Sequence, residues 1–148
     1  MKNKVRVFAP ASASNLGPGF DVIGLALPDP GDIVEAEWCD TPGVSIREIT
    51  GDGGALPYDG ARNVAAVAAN DVLRRFQADN QIPLHRGISL RLEKQTPLAS
   101  GLGSSGASAV AGAFATNELL DRPLSRTALV ASALAGEQVA AGTAHADN

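Results

Sequence analysis

The run PLASGLGSSGAS, residues 97–108, is rich in glycine and serine and holds no lysine. A P-loop follows its last glycine with Lys-Ser or Lys-Thr, the lysine reaching the β- and γ-phosphates and the hydroxyl meeting magnesium. Here Gly103 is followed by Ser104 and Ser105. Two readings are open from these residues: a flexible loop, or a site that holds phosphate by backbone amides and hydroxyls. A second residue with chemistry to offer is Glu137. Val130, Ala133, Leu134 and Glu137 fall at i, i+3, i+4 and i+7, which puts the carboxylate on the apolar face of a helix. A carboxylate there needs a cation or strong donors, unless it only marks the edge of the stripe. Two more polar runs stand near the ends of the sequence. PASASNLGPGFDVIGLAL, residues 10–27, sets Asn15 and Asp21 among Gly17, Pro18 and Gly19, and AGTAHADN, residues 141–148, carries His145 and Asn148. Taken singly, the first reads as a tight turn and the second as a polar tail.

The elements around these residues follow from periodicity. KVRVFAP (4–10), IVEAEW (33–38) and VSIREI (44–49) are short, β-branched or alternating, and bounded by Gly, Pro and Asp, which predicts an antiparallel set of strands. NVAAVAANDVLRRFQADN (63–80) repeats Val64, Ala68, Val72 and Phe76 along one helical stripe, with Asn63 as N-cap. ISLRLEK (88–94) alternates Ile88, Leu90 and Leu92 against Ser89, Arg91 and Glu93, the period of a strand with one buried face. A helix over 104–120 and a last helix from about Ser125 to about Ala141 complete the pattern. The glycine run thus joins a strand to a helix, with the amides of Gly103 to Gly106 at the helix N-terminus. Orphan N–H donors and the positive end of the helix dipole make such a terminus an anion site.

Composition limits the classes of function. A chain of 148 residues, 45% hydrophobic, suits one globular domain over 1–148 with a single core. A net charge of −4 and no cluster of Lys and Arg argue against nucleic acid as a partner. The single cysteine, Cys39, has no intramolecular partner, the N-terminus lacks the apolar core of a secretory signal, and no apolar run is long enough to cross a membrane. A cytoplasmic setting is expected.

Together, PASASNLGPGFDVIGLAL, PLASGLGSSGASAVAG and GEQVAAGTAHADN, in this order, resemble the homoserine branch of the GHMP kinase superfamily. The middle run carries the superfamily signature P-x-x-x-G-L-G-S-S-x-A. Asn15, Gly17, Gly19, Asp21, His145 and Asn148 point to the branch. One departure is Gly106, where alanine is usual; glycine there lowers helix propensity by up to ~1 kcal/mol. The resemblance implies an α/β (α+β) fold, the superfamily's N-terminal domain, like the second domain of ribosomal protein S5. It implies transfer of the ATP γ-phosphoryl group to the side-chain hydroxyl of L-homoserine, on the route to threonine. By resemblance Pro97, Leu98, Ala99, Ser100, Gly101, Leu102, Gly103, Ser104, Ser105, Gly106 and Ala107 wrap the triphosphate, and Ser105 and Glu137 are the protein ligands of Mg2+. Asn15 and Asp21 match positions that hold the acceptor, with Asp21 as counter-ion to its ammonium group. His145 and Asn148 match catalytic positions beside the acceptor hydroxyl. A homodimer is compatible with the resemblance.

Relatives continue beyond the H-A-D-N segment into a ferredoxin-like domain with further acceptor-binding arginines, so the sequence reads as a fragment. Such a fragment is expected to bind Mg-ATP weakly and not to phosphorylate homoserine. Two other readings are a GHMP kinase acting on mevalonate or shikimate, which need not keep Asn15, Asp21 and the H-A-D-N end, and a non-catalytic S5-like binding module.

Overall fold

Alternation builds the sheet. The computed structural model describes residues 2–20, 22–80 and 85–141. It contains β1 (Lys4–Ser14), β2 (Gly24–Cys39), β3 (Val44–Thr50), α1 (Val64–Asn80), β4 (Gly87–Glu93), α2 (Ser104–Leu119) and α3 (Arg126–Ala141). The sheet order is β1-β2-β4-β3. On the inner face Val34 and Ala36 of β2 and Ile88, Leu90 and Leu92 of β4 are fully buried. The same period turns Lys4, Arg6, Glu35, Glu37, Arg47, Arg91 and Glu93 to the outer face. There Lys4 pairs with Glu35 at 2.7 Å and Arg6 with Glu93 at 2.7 Å, while Arg47 bridges Glu35 and Glu37. Such exposed pairs add little stability each, but they satisfy a face that no helix covers.

The three helices lie on the inner face. α2 crosses β1 and β2, α1 packs on α2 and reaches β3, and α3 packs on α1 and α2. α2 is buried on nearly every side, which explains why its sequence shows small apolar residues rather than a stripe. Asn63 caps α1 as expected: its Oδ1 accepts from the amides of Ala65 at 3.1 Å and Ala66 at 3.4 Å. Ser125 caps α3 in the same way, accepting from the Ala128 amide at 3.2 Å. Between α2 and α3, the Asn117 side chain donates to the Leu124 carbonyl and accepts from its amide.

Three expectations need correction. The first three strands are not one antiparallel set: β1 and β2 pair antiparallel, but β3 pairs parallel with β4, which lies between it and β2. Placing the apolar β4 at the centre leaves the mixed-polarity β3 at an edge. The run 10–27 is also not loop throughout: its two ends are strand, Ser12, Ala13 and Ser14 pairing with Ala26, Leu25 and Gly24, while the turns lie between them. The third correction concerns α3, whose buried stripe is Leu129, Ser132 and Gly136, whereas Val130 is exposed. Glu137 still lies beside this stripe, next to Gly136.

Gly112 sets the spacing between α1 and α2. A Cβ at this position would stand 2.3 Å from the Ala65 carbonyl oxygen, a backbone atom that cannot swing away. Alanine would gain ~1 kcal/mol of helix propensity. The clash is expected to outweigh that gain, so Gly112→Ala should lower unfolding stability by about 1–3 kcal/mol, read as a drop in the urea midpoint.

Candidate functional site

The glycine-rich run leaves β4 and enters α2 as expected. Gly103 occupies the left-handed region at φ 59°, and the first turn of α2 starts at Ser104 with no side-chain cap. The leading amides of this helix therefore lack a side-chain partner, and the turn that presents them needs a residue that tolerates positive φ. Ser100 braces the loop from inside, donating to the Pro97 carbonyl at 2.7 Å and accepting from the Leu102 amide at 3.3 Å. The Ser12 amide donates to the Leu102 carbonyl at 3.0 Å, which ties the loop to β1.

Beside the loop is a cavity of about 420 Å3. Leu98, Ala99, Ser100, Gly101, Gly103, Ser104 and Ser105 line it on one side, and Leu56, Pro57, Asn63 and Val64 on the other. Pro97, Leu102, Gly106 and Ala107 are not in the lining. Gly106 and Ala107 instead turn into the helix packing, where both are buried. The cavity thus has an apolar wall, a polar turn and the size of a drug-sized ligand.

Ser105 and Glu137 come together across the mouth of this turn, the Ser105 hydroxyl donating to Glu137 Oε2 at 3.0 Å. The other carboxylate oxygen, Oε1, is buried and has no hydrogen-bond partner. Burial pushes the Glu137 carboxyl above the usual carboxylate range, with the Ser105 bond and the charge of Lys94 offsetting part of that rise. A carboxylate oxygen and a hydroxyl, both hard donors, fit a small divalent cation that takes its remaining ligands from phosphate and water. Among the described residues no cluster of three acidic, histidine or cysteine side chains could hold a metal without such help.

Asn15 lies at the end of β1 in the left-handed region, φ 59°, and is not part of the cavity lining. Asp21, His145 and Asn148 lie outside the described residues. The residues that sequence reasoning missed are Asp32, Lys94 and Ser108. The Lys94 ammonium is buried beneath the loop, paired with Asp32 and hydrogen-bonded to the Ser104 carbonyl, Ser104 Oγ and Ser108 Oγ, each at 2.8 Å. A signal was present: Lys94 is in phase with Ile88, Leu90 and Leu92, and Asp32 with Val34 and Ala36, so both belong to the inner face. Burial pulls the Lys94 ammonium below the usual lysine range, offset in part by Asp32.

A positive-φ glycine turn at a helix N-terminus, with an acidic oxygen across it, is an arrangement able to hold a polyphosphate and its cation. The family described as GHMP kinases N terminal domain matches residues 63–148, and the chain belongs to it. The chain is similar to homoserine kinase of Chlorobium phaeobacteroides (strain DSM 266 / SMG 266 / 2430), 46% identical over 97% of this chain and 46% of that protein. It is also similar to homoserine kinase of Xylella fastidiosa (strain M12), 42% identical over 99% of this chain and 44% of that protein. The crystal structure of homoserine kinase from Cytophaga hutchinsonii ATCC 33406 superposes with a TM-score of 0.89 at 44% identity, covering 100% of this chain and 45% of that one. L. major mevalonate kinase, at 21% identity and a TM-score of 0.70, shares the fold. The chain spans about half the length of the curated relatives it matches.

The raised Glu137 carboxyl carries a pH signature without any ligand. A folded-state pKa above the unfolded one means that folding favours the protonated acid, so stability is highest below the unfolded pKa and falls as pH rises through the folded one. Glu137→Gln removes that loss. In metal-free buffer the variant should melt higher than the parent at pH 8, and the gap should close on acidification to pH 4. Equal melting temperatures at both values would show that the carboxylate is not desolvated.

Proposed function

We propose that this chain forms the nucleotide-binding part of a kinase that moves the γ-phosphoryl group of ATP to the side-chain hydroxyl of L-homoserine. The observation that carries the reading is the Ser105–Glu137 pair, with its unpartnered buried oxygen, set across the glycine turn that opens α2. The names of relatives at 42–46% identity support homoserine as the acceptor. The absence of a helix long and apolar enough to cross a membrane, among the described residues, is compatible with the cytoplasm as the place of work.

In this reading residues 97–107 surround the triphosphate, and the apolar wall of Leu56, Pro57 and Val64 takes the nucleoside. The first-turn amides of α2 and the Ser104 and Ser105 region orient the phosphates. Glu137 and Ser105 hold Mg2+, which when bound neutralises charge on the phosphate oxygens. Asn15 and Asp21 hold the amino acid, Asp21 opposite its ammonium group. His145 and Asn148 flank the hydroxyl that attacks. Phosphoryl transfer through a loose transition state asks for alignment and charge stabilisation more than for a strong base. A site without an evident general base is consistent with that chemistry.

The test is release of ADP on addition of L-homoserine, measured on the complete protein with Mg-ATP and with mevalonate as a control acceptor. Homoserine-dependent release is expected, and release with mevalonate alone would overturn the acceptor. Glu137→Gln should lower turnover by at least about 100-fold, because loss of the cation's carboxylate removes several kcal/mol of charge stabilisation. In the same assay Asp21→Ala should raise the Michaelis constant for homoserine far more than that for ATP. Equal changes in both constants would make Asp21 a structural residue.

A further inference from the structure

The loop that would hold phosphate is closed from below at a single point. Asp32 Oδ1 accepts from the amides of Gln95 at 3.1 Å and Thr96 at 3.0 Å, where the chain leaves β4. Asp32 Oδ2 accepts from Ser108 Oγ at 2.6 Å and from Lys94. Lys94 in turn reaches the carbonyl and hydroxyl oxygens of Ser104, and Ser104 Oγ donates to the Thr96 carbonyl at 3.2 Å. The entry to the loop, at 95–96, and its exit, at 104–108, are thus fastened to one buried ion pair. Both side chains are nearly inaccessible, at 2% for Lys94 and 0% for Asp32. The pair falls one step beyond Ile33–Glu93 in the antiparallel register of β2 and β4, so the sheet itself sets its position.

We propose that Lys94 and Asp32 are positioning residues that hold residues 97–103 in the open turn from which the α2 amides face the cavity. Lys94 does not serve as the phosphate-binding lysine that the loop itself lacks. Its three N–H donors are shared among four acceptors on Asp32, Ser104 and Ser108, and its charge is balanced by Asp32 in a direct hydrogen-bonded ion pair. Although Lys94 lines the cavity, a direct phosphate contact would require it to give up Asp32 or a serine oxygen and leave a nearly inaccessible partner unpaired. The loop's shape, rather than an added charge, is what the pair supplies. The ligand side of this inference rests on the nucleotide reading above, whereas the loop side does not.

The two sides are tested separately on Lys94→Met and on the isosteric Asp32→Asn, which keeps the fold testable if the first variant does not fold. Hydrogen exchange reads the loop: amides of 95–104 should exchange at least about tenfold faster in either variant, with those of α1 unchanged. Calorimetric titration with Mg-ATP and with adenosine reads the ligand: ATP should bind at least about tenfold more weakly while adenosine is unaffected. The sign for Asp32→Asn is decisive, because freeing a phosphate-binding lysine would tighten ATP. Tighter ATP, or loop exchange that is unchanged or rises only in step with α1, would overturn the proposal. If the unsubstituted chain binds ATP no better than adenosine, the nucleotide reading falls, and the exchange data alone decide the role of the pair.

Discussion

The buried Asp32–Lys94 pair is where sheet, loop and central helix meet. Burying two charges costs several kcal/mol each, and only good geometry with further hydrogen bonds repays it. Here the polar groups are well satisfied: Asp32 accepts from two amides, a hydroxyl and an ammonium, and the three N–H groups of Lys94 are shared among a carboxylate, a carbonyl and two hydroxyls. An apolar pair of similar volume would fill the same space with comparable stability. It could not fix the carbonyls and amides of residues 95, 96 and 104 relative to one another. What the ion pair adds to packing is direction, and the turn above it depends on direction.

Packing around that point follows from residue size. α2 can pass between the sheet and the other two helices because it presents Ala109, Ala111, Gly112, Ala113 and Ala115 there, all buried. Close approach to α1 at Gly112 and of α3 to α1 at Gly136 brings Glu137 over the first turn of α2. A larger side chain at Gly136 would meet the Val64 carbonyl and Ala109, lifting α3 and separating Glu137 from Ser105. The helix packing and the site geometry are therefore one constraint.

Elements with a strong period were legible in the sequence. α1 with its Asn63 cap, β4, and the strand–turn–helix that carries the glycine run all follow from residues alone. Strand order was not legible, because β3 and β4 are far apart in sequence and nothing local distinguishes parallel from antiparallel pairing. The phase of α3 was misread since Ser132 and Gly136 carry no hydrophobic signal, although they are the residues that permit burial. Lys94 was passed over for a different reason: at the end of an alternating strand a charged residue looks like the return to solvent. Only its parity with Ile88, Leu90 and Leu92 marks it as inward, and only Asp32, sixty-two residues away in sequence, makes that position tolerable.

The charges at the site explain the loop without a lysine. The basic residues of the cavity lining are Arg62 and Lys94, and Lys94 is already matched by Asp32. Glu137 adds a negative group whose raised pKa records how poorly its surroundings solvate it. Lys94 and Asp32 cancel each other beneath the loop, Arg62 remains in the lining, and Glu137 stands behind Ser105, which lines the cavity and donates to it. An anion alone would meet helix amides on one side and Glu137 on the other, one attractive and one repulsive. An anion that brings a divalent cation meets both favourably, since the amides take the anion's oxygens and the carboxylate takes the metal. On the proposed reading the Ser105–Glu137 pair would therefore favour a metal–polyphosphate complex over a free phosphate, with Arg62 as a further cation in the lining.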